Sequence, residues 1–418
     1  MKLMFWALLS VVVTSVIFAQ TGNDIVDNGI TAGTELAQAI GDKKFASTMG
    51  KLATRVGPYL GMVGPAIGII AAIAGLQQDS AELQFMRNML SQIDNRFDKV
   101  DQKLDDIARR MDWNRARVQF FTFEKKINAM KLELEKLYNA SGDGFTSFRD
   151  TFVTVYECVY ENSAQLLYSH IVSHGSTFSS NVLTEAVRAN QHDRRDMQAF
   201  MLGLTKVILM GSQVEMAYYK IKHPNSLKGH EQKWTGQINE MRKAMEKVDR
   251  DLTNNFKDVA INDAKTILTN NRGASKSDAA KKVYDKLTTK FYWRNWFVAV
   301  YNDIAGGNNH WMWACNGGLV FRHNGFNLII ASNPTATGHL NASSARSLLK
   351  NAKYYSRNFW GTKYLDAKDI FNNIKFTRSC SSYTAVGVVR TNANFSPKYA
   401  SNRYVQERRG RYYTFMFH

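Results

Sequence analysis

The sequence predicts an α+β chain, with an elongated all-helical bundle enclosing an apolar helix or hairpin, followed by a smaller β-rich C-terminal module. Three observations carry this reading. Apolar residues at Met86, Leu90, Ile93, Phe97, Val100, Leu104, Ile107 and Met111 step alternately by four and three, a heptad seam that a helix presents on one face. From about Lys290 the chain turns to aromatic and β-branched runs such as KFYWRNWFVAVY, which suit a pleated, half-buried surface. Asn324-Gly325 then separates two apolar runs in GGLVFRHNGFNLIIAS, and this dipeptide tolerates the positive φ of a two-residue hairpin turn.

Residues 1–19 begin with Met1-Lys2, continue as LMFWALLSVVVTSVIFA and end in the small residue Ala19. They read as a secretory signal peptide cut near Ala19 to Gln20; an uncleaved N-terminal anchor is the other reading. The mature chain is then expected to be secreted and extracellular.

Residues 20–289 make up the expected bundle. Within it, residues 56–76 (VGPYLGMVGPAIGIIAAIAGL) carry no charge, and none stands between Arg55 and Asp79. At 1.5 Å per residue, about 20 helical residues cross the roughly 30 Å hydrocarbon core, so the segment just reaches a span. Gly57 with Gly61, and Gly64 with Gly68, have the spacing that lets helices approach closely in lipid. Pro58 and Pro65 would break or kink a single helix, which makes a helix–loop–helix hairpin an equal reading. Ile69, Ile70 and Ile73 supply the continuous apolar end. Two roles stand open: a core element that never leaves the bundle, or one that exchanges its helical sheath for a membrane.

The heptad helix, residues 79–112, opens with Asp79 and Glu82 in capping-box spacing. Asp94, Asp98, Asp101 and Asp105 read as its solvated flank, because the turn glycine that a calcium loop requires is missing. Helical periodicity continues over 115–138, 145–169, 184–221, 231–256, 258–269 and 277–288, interrupted by turn-forming stretches such as NASGDG and HPNSLKG. Residues 290–418 form the basic, aromatic β-rich module, with short helices expected near 342–352 and 366–373. Strands are expected at 383–391, 403–407 and 411–417, the last two joined by ERRGR.

At 44% hydrophobic and 22% charged, the chain has the apolar mass for packed cores. Its net charge of +18 is uneven: residues 290–418 hold 17 Lys and Arg against 4 Asp and Glu. In a secreted protein, such a surface suits membrane lipid, cell-surface glycan or an acidic partner; nucleic acid is not expected in that compartment. Arg408, Arg409 and Arg411 fall at a hairpin turn, either as a solvated cap or as the surface-binding contact. Cys315 and Cys380 both lie in the last third and form the candidate disulfide, leaving Cys158. Asn139, Asn341 and Asn394 stand in N-x-S sequons and are glycosylation candidates.

No catalytic constellation emerges. His170 and His174 are spaced for one helix face, but HIVSH lacks the glutamate that a zinc hydrolase uses as base. Neither C-x-x-C nor G-x-S-x-G occurs, and no phosphate-binding glycine loop is found. A non-enzyme without metal or cofactor is therefore expected.

The order of these features resembles a family: a signal segment, VGPYLGMVGPAIGIIAAI, then AELQFMRNMLSQIDNRFDKVDQKLDDIARRMDW, VQFFTFEKKINAMKLELEKL and AFMLGLTKVILMGSQVEMAYYKIK, with FYWRNWFVAVYND further on. These are similar to the helical region of the cephalotoxin and rapunzel-like proteins, and loosely to the helical domains of jellyfish and crystal toxins. The likeness runs over roughly residues 45–330. It implies a helical bundle around an apolar helix and a membrane-active, pore-forming or cytolytic role; the heptad seam of 79–112, for its part, suits covering the apolar element or pairing protomers into a homo-oligomer. A secreted structural or recognition protein with a permanently buried apolar helix is the alternative.

Overall fold

The computed structural model describes Phe45 and residues 114–140, 143–173, 181–315, 319–359 and 361–418. The expected signal peptide (1–19), the apolar segment 56–76 with Gly57, Pro58, Gly61, Gly64, Pro65, Gly68, Ile69, Ile70 and Ile73, and the expected heptad helix (79–112) all fall outside the described residues. The chain divides between Thr253 and Asn254 into two compact units.

The first unit is helical. Helix α1 (Asn114–Asn139) buries Ile127, Met130, Leu134 and Leu137, the three- and four-residue steps of one helix stripe. Helices α2 (Asp143–Val155) and α3 (Ser163–Val172) are joined by a π turn over Tyr156–Tyr160. Sequence periodicity reads this stretch as one helix; Glu161 and Asn162 break it by adopting φ of 50° and 53°, and Asn is among the residues that accept this conformation. Helix α4 (Val182–Ala189) and helix α5 (Arg194–Lys222) are likewise separated at Gln191 and His192, both at positive φ. Asn181 caps α4 and Asp193 caps α5 through side-chain oxygens that accept backbone N–H groups.

Helix α5 is buried around almost its whole circumference between Met197 and Tyr218, so it is the central rod of this unit. Gly211 permits the closest approach, since a β-carbon there would stand 2.5 Å from Ala164 Cβ on α3. Helix α6 (Leu227–Asn254) adds Trp234, Ile238, Met241, Met245 and Leu252 to the same core.

The second unit begins with α7 (Phe256–Asn270) and α8 (Lys276–Lys290), which the sequence pattern groups with the bundle. Their apolar stripes, Phe256, Ala260, Ala264, Leu268 and Ala279, Ala280, Val283, Leu287, instead cover a β-sheet. Amphipathic periodicity identifies a buried face without naming what buries it, which is why the boundary falls ahead of residue 289. Buried Lys290 donates to Asp263 at 2.7 Å and ties α8 to α7.

Strands β1 (Arg294–Asn302), β3 (Leu319–His323), β4 (Phe326–Pro334) and β8 (Ser396–Tyr399) form an antiparallel sheet in the order β3-β4-β1-β8. The turn between β3 and β4 is Asn324-Gly325 with φ of 49° and 78°, the two-residue hairpin expected from sequence. A second antiparallel sheet has the order β2-β7-β10-β9, from β2 (His310–Ala314), β7 (Ala385–Arg390), β9 (Tyr404–Arg409) and β10 (Tyr412–Phe417). Phe297, Ala299, Ile329 and Ala331 of the first sheet meet Ala385, Phe415 and Phe417 of the second. Alternate residues Trp296, Val298, Val300, Leu328 and Ile330 face α7 and α8.

On the far side, Val386, Val388, Tyr412 and Met416 pack against helices α9 (Ala342–Asn351) and α10 (Ala367–Asn373). The unit is thus a four-layer stack of helices, sheet, sheet and helices. A two-stranded ribbon, β5 (Tyr355–Asn358) with β6 (Gly361–Tyr364), stands between α9 and α10 in sequence. Cys315 and Cys380 are disulfide-bonded across 65 residues, and Cys158 is free and exposed in the first unit.

Candidate functional site

Strands β9 and β10 join through Gly410-Arg411, with Arg409 opposite Tyr412 and Arg408 opposite Tyr413. Gly410 is needed here twice over: its φ is 54°, and a β-carbon would collide with the ring of Tyr364. Arg408, Arg409 and Arg411 are all exposed. Successive strand residues point to opposite faces, so the structure separates Arg408 from Arg409, and Arg411 follows Gly410 in the turn. Arg408 lies over Tyr413, 5.9 Å from the ring centre. Arg409 lies over Tyr354 at 5.6 Å and Arg411 over Tyr364 at 5.3 Å. A guanidinium on an aromatic face is held in place while its N–H edge stays available to an anion.

Tyr354 and Tyr364 belong to the β5–β6 ribbon and its base, and this element was not legible in the sequence. Its strands read YSRN and GTKY, too short and too polar to register as a β pattern. The available signal was Asn358 and Gly361 flanking a two-residue connection. The base is firmly mounted: buried Tyr354 shares a hydrogen bond of 2.9 Å with Thr414 Oγ1 on β10 and donates to Leu349 O on α9 at 2.9 Å. Leu365 N donates to Tyr354 O at 3.0 Å and closes the ribbon. Burial pushes the Tyr354 phenol above its usual pKa, with the Thr414 bond and the Arg409 charge pulling the other way.

Around the ribbon the charge is almost all of one sign. The sequence holds no Asp or Glu between Asp303 and Asp366, and Arg357, Lys363 and Lys353 are exposed. The nearby carboxylate is Glu407, 3.8 Å from Arg346. Arg403, by contrast, is a structural arginine, buried and donating to Thr337 O, Gly338 O and His418 O. Burial lowers its pKa.

In the helical unit, polar groups are also buried. Glu215 accepts from Trp234 Nε1 at 2.9 Å and from Tyr160 Oη at 3.2 Å. Asp249 holds Arg194 through two bonds of 2.8 and 2.7 Å and accepts from Gln198 at 2.8 Å. These are hydrogen-bonded networks among side chains of the helical unit's core.

His170 sits on α3, 5.7 Å from the Phe123 ring, whereas His174 lies outside the described residues. Among the described residues, no group of three or more His, Cys, Asp or Glu could hold a metal ion. Among the same residues, no helix is long and apolar enough to cross a membrane. Asn139, Asn341 and Asn394 are exposed, Asn341 as the N-cap of α9.

Comparison with curated proteins and with solved structures finds no match. Residues 76–273, a span that runs from ahead of α1 through α7, match the family model of the cephalotoxin-like middle helical domain.

Proposed function

We propose that the protein is a secreted, non-enzymatic, toxin-like protein that binds an anionic cell surface through its C-terminal module and permeabilises the membrane with the apolar segment 56–76. The observation that carries this reading is the pairing, in one chain, of a cephalotoxin-like helical domain with a basic module whose exposed arginines are laid over tyrosines. Held guanidinium groups that outnumber the nearby carboxylate Glu407 suit phosphate or sulfate groups. The uncharged, glycine-studded segment beside a heptad seam supplies an apolar element of membrane-spanning length. The disulfide Cys315–Cys380 accords with an oxidising compartment.

Dye release from phosphatidylserine-containing vesicles, together with lysis of erythrocytes, tests the reading. Wild-type protein is expected to release dye, and Ile69→Lys to bind the vesicles while releasing none. A protein that binds but never releases dye, with Ile69→Lys costing about 2 to 5 kcal/mol of stability instead, would identify 56–76 as a permanent core element.

A further inference from the structure

The β5–β6 ribbon carries an aromatic residue where turn chemistry does not ask for one. Asn358 pairs with Gly361, leaving a two-residue connection of sequence Phe-Trp. Such connections favour Asn, Asp and Gly, which accept the backbone angles a tight hairpin needs. Phe359 is 96% exposed at the tip, and Tyr355 on the same strand is 49% exposed. An isolated two-stranded ribbon is marginal in water; this one is kept by the Tyr354 bonds at its base, which hold the tip on a fixed mount.

Basic groups surround that tip on both faces. Arg357 pairs with Thr362 and Lys363 with Ser356, so the two cations project to opposite sides of the ribbon, within about 10 Å of the tip along the strands. Arg409 and Arg411 stand at the base over Tyr354 and Tyr364. An exposed apolar ring above a collar of cations matches the layering of an anionic bilayer, apolar beneath phosphate. A sulfated glycan would engage the cations but offers no apolar layer in which to lodge the ring.

We propose that the β5–β6 ribbon seats the C-terminal module on an anionic lipid surface, with the Phe359 ring lodged at the boundary between headgroups and acyl chains and Arg357, Lys363, Arg409 and Arg411 engaging headgroup phosphates. This rests on the membrane-active reading above and adds to it a contact element separate from segment 56–76.

The test uses full-length protein and phosphatidylcholine vesicles with and without phosphatidylserine. Phe359→Asp is expected to weaken partition onto phosphatidylserine vesicles by about tenfold, with Phe359→Trp restoring it. Position 359 is exposed, so the thermal midpoint of both variants should match wild type. In a Cys158→Ser background, an environment-sensitive fluorophore on Phe359→Cys should shift to the blue on phosphatidylserine vesicles and be quenched by bilayer-embedded quenchers. Wild-type binding with an unshifted probe, or with undiminished partition of Phe359→Asp, overturns the ribbon assignment and leaves the membrane-active reading standing. Retention on heparin with no vesicle binding at all overturns both.

Discussion

The indole N–H of Trp234 donates to Glu215 across 2.9 Å in the core of the helical unit, where both side chains are almost fully buried. Burial raises the Glu215 carboxyl from 4.5 to about 7, against the opposing pull of the Trp234 bond, the Lys233 charge and the Tyr160 bond. Between those two values the folded state holds a proton that the unfolded chain has released. This contribution therefore favours the fold most below pH 4.5 and declines as pH rises towards 7, by a total on the order of 3 kcal/mol. Acid tightens this part of the bundle.

Glu215→Gln should remove that slope. Urea unfolding at pH 5 and pH 8 is expected to show wild type losing stability between the two and the variant holding nearly constant. An equal loss in both proteins would assign the pH dependence to other groups.

Asp249 neutralises Arg194 where the arginine is 3% exposed. Asp249→Ala leaves that charge without its carboxylate and should destabilise the helical unit by about 3 to 5 kcal/mol. The double change Arg194→Met with Asp249→Leu should recover most of the loss, since an apolar pair of similar volume avoids the desolvation cost. Chemical denaturation of the single and double variants checks the order.

The Cys315–Cys380 bond closes a loop of 65 residues that contains β3, β4, α9, the ribbon and α10. Chain-entropy reasoning assigns about 4 kcal/mol to a loop of that length. Replacing both cysteines by alanine should lower the stability of the C-terminal unit by up to that amount, read by loss of its near-ultraviolet aromatic signal in urea.

The separation of the three arginines predicts unequal effects. Arg409 and Arg411 stand at the ribbon, and Arg408 faces Tyr413 on the other side of the strand. Replacing Arg409 and Arg411 together by alanine should weaken binding to phosphatidylserine vesicles by roughly tenfold at low salt, with a smaller penalty near physiological ionic strength. Arg408→Ala should cost less than Arg409→Ala or Arg411→Ala taken singly.

Much of this architecture was legible where the local chemistry was strong. Asn324-Gly325 marked its hairpin, ERRGR its turn, and the position of Cys315 and Cys380 their pairing. What escaped was decided by tertiary contact. The apolar runs of β1 and β4 marked them as strands, but gave no sign that a sheet covers one face and helices the other. The ribbon, polar and four residues per strand, exists because Tyr354 anchors it to β10 and α9. The breaks at Glu161-Asn162 and Gln191-His192 use no glycine or proline, so nothing in the sequence marked them as stops.

Helix α7 has a practical bearing on how the chain can be dissected. The family-matched span runs to residue 273 and includes α7, yet Phe256, Ala260, Ala264 and Leu268 are buried in the core shared with Trp296 and Leu328. A recombinant fragment ending at 273 would carry that greasy flank bare into solution and would be prone to clump, whereas one ending at Thr253 would not. The borders of inheritance and of autonomous folding are out of step here by a whole helix.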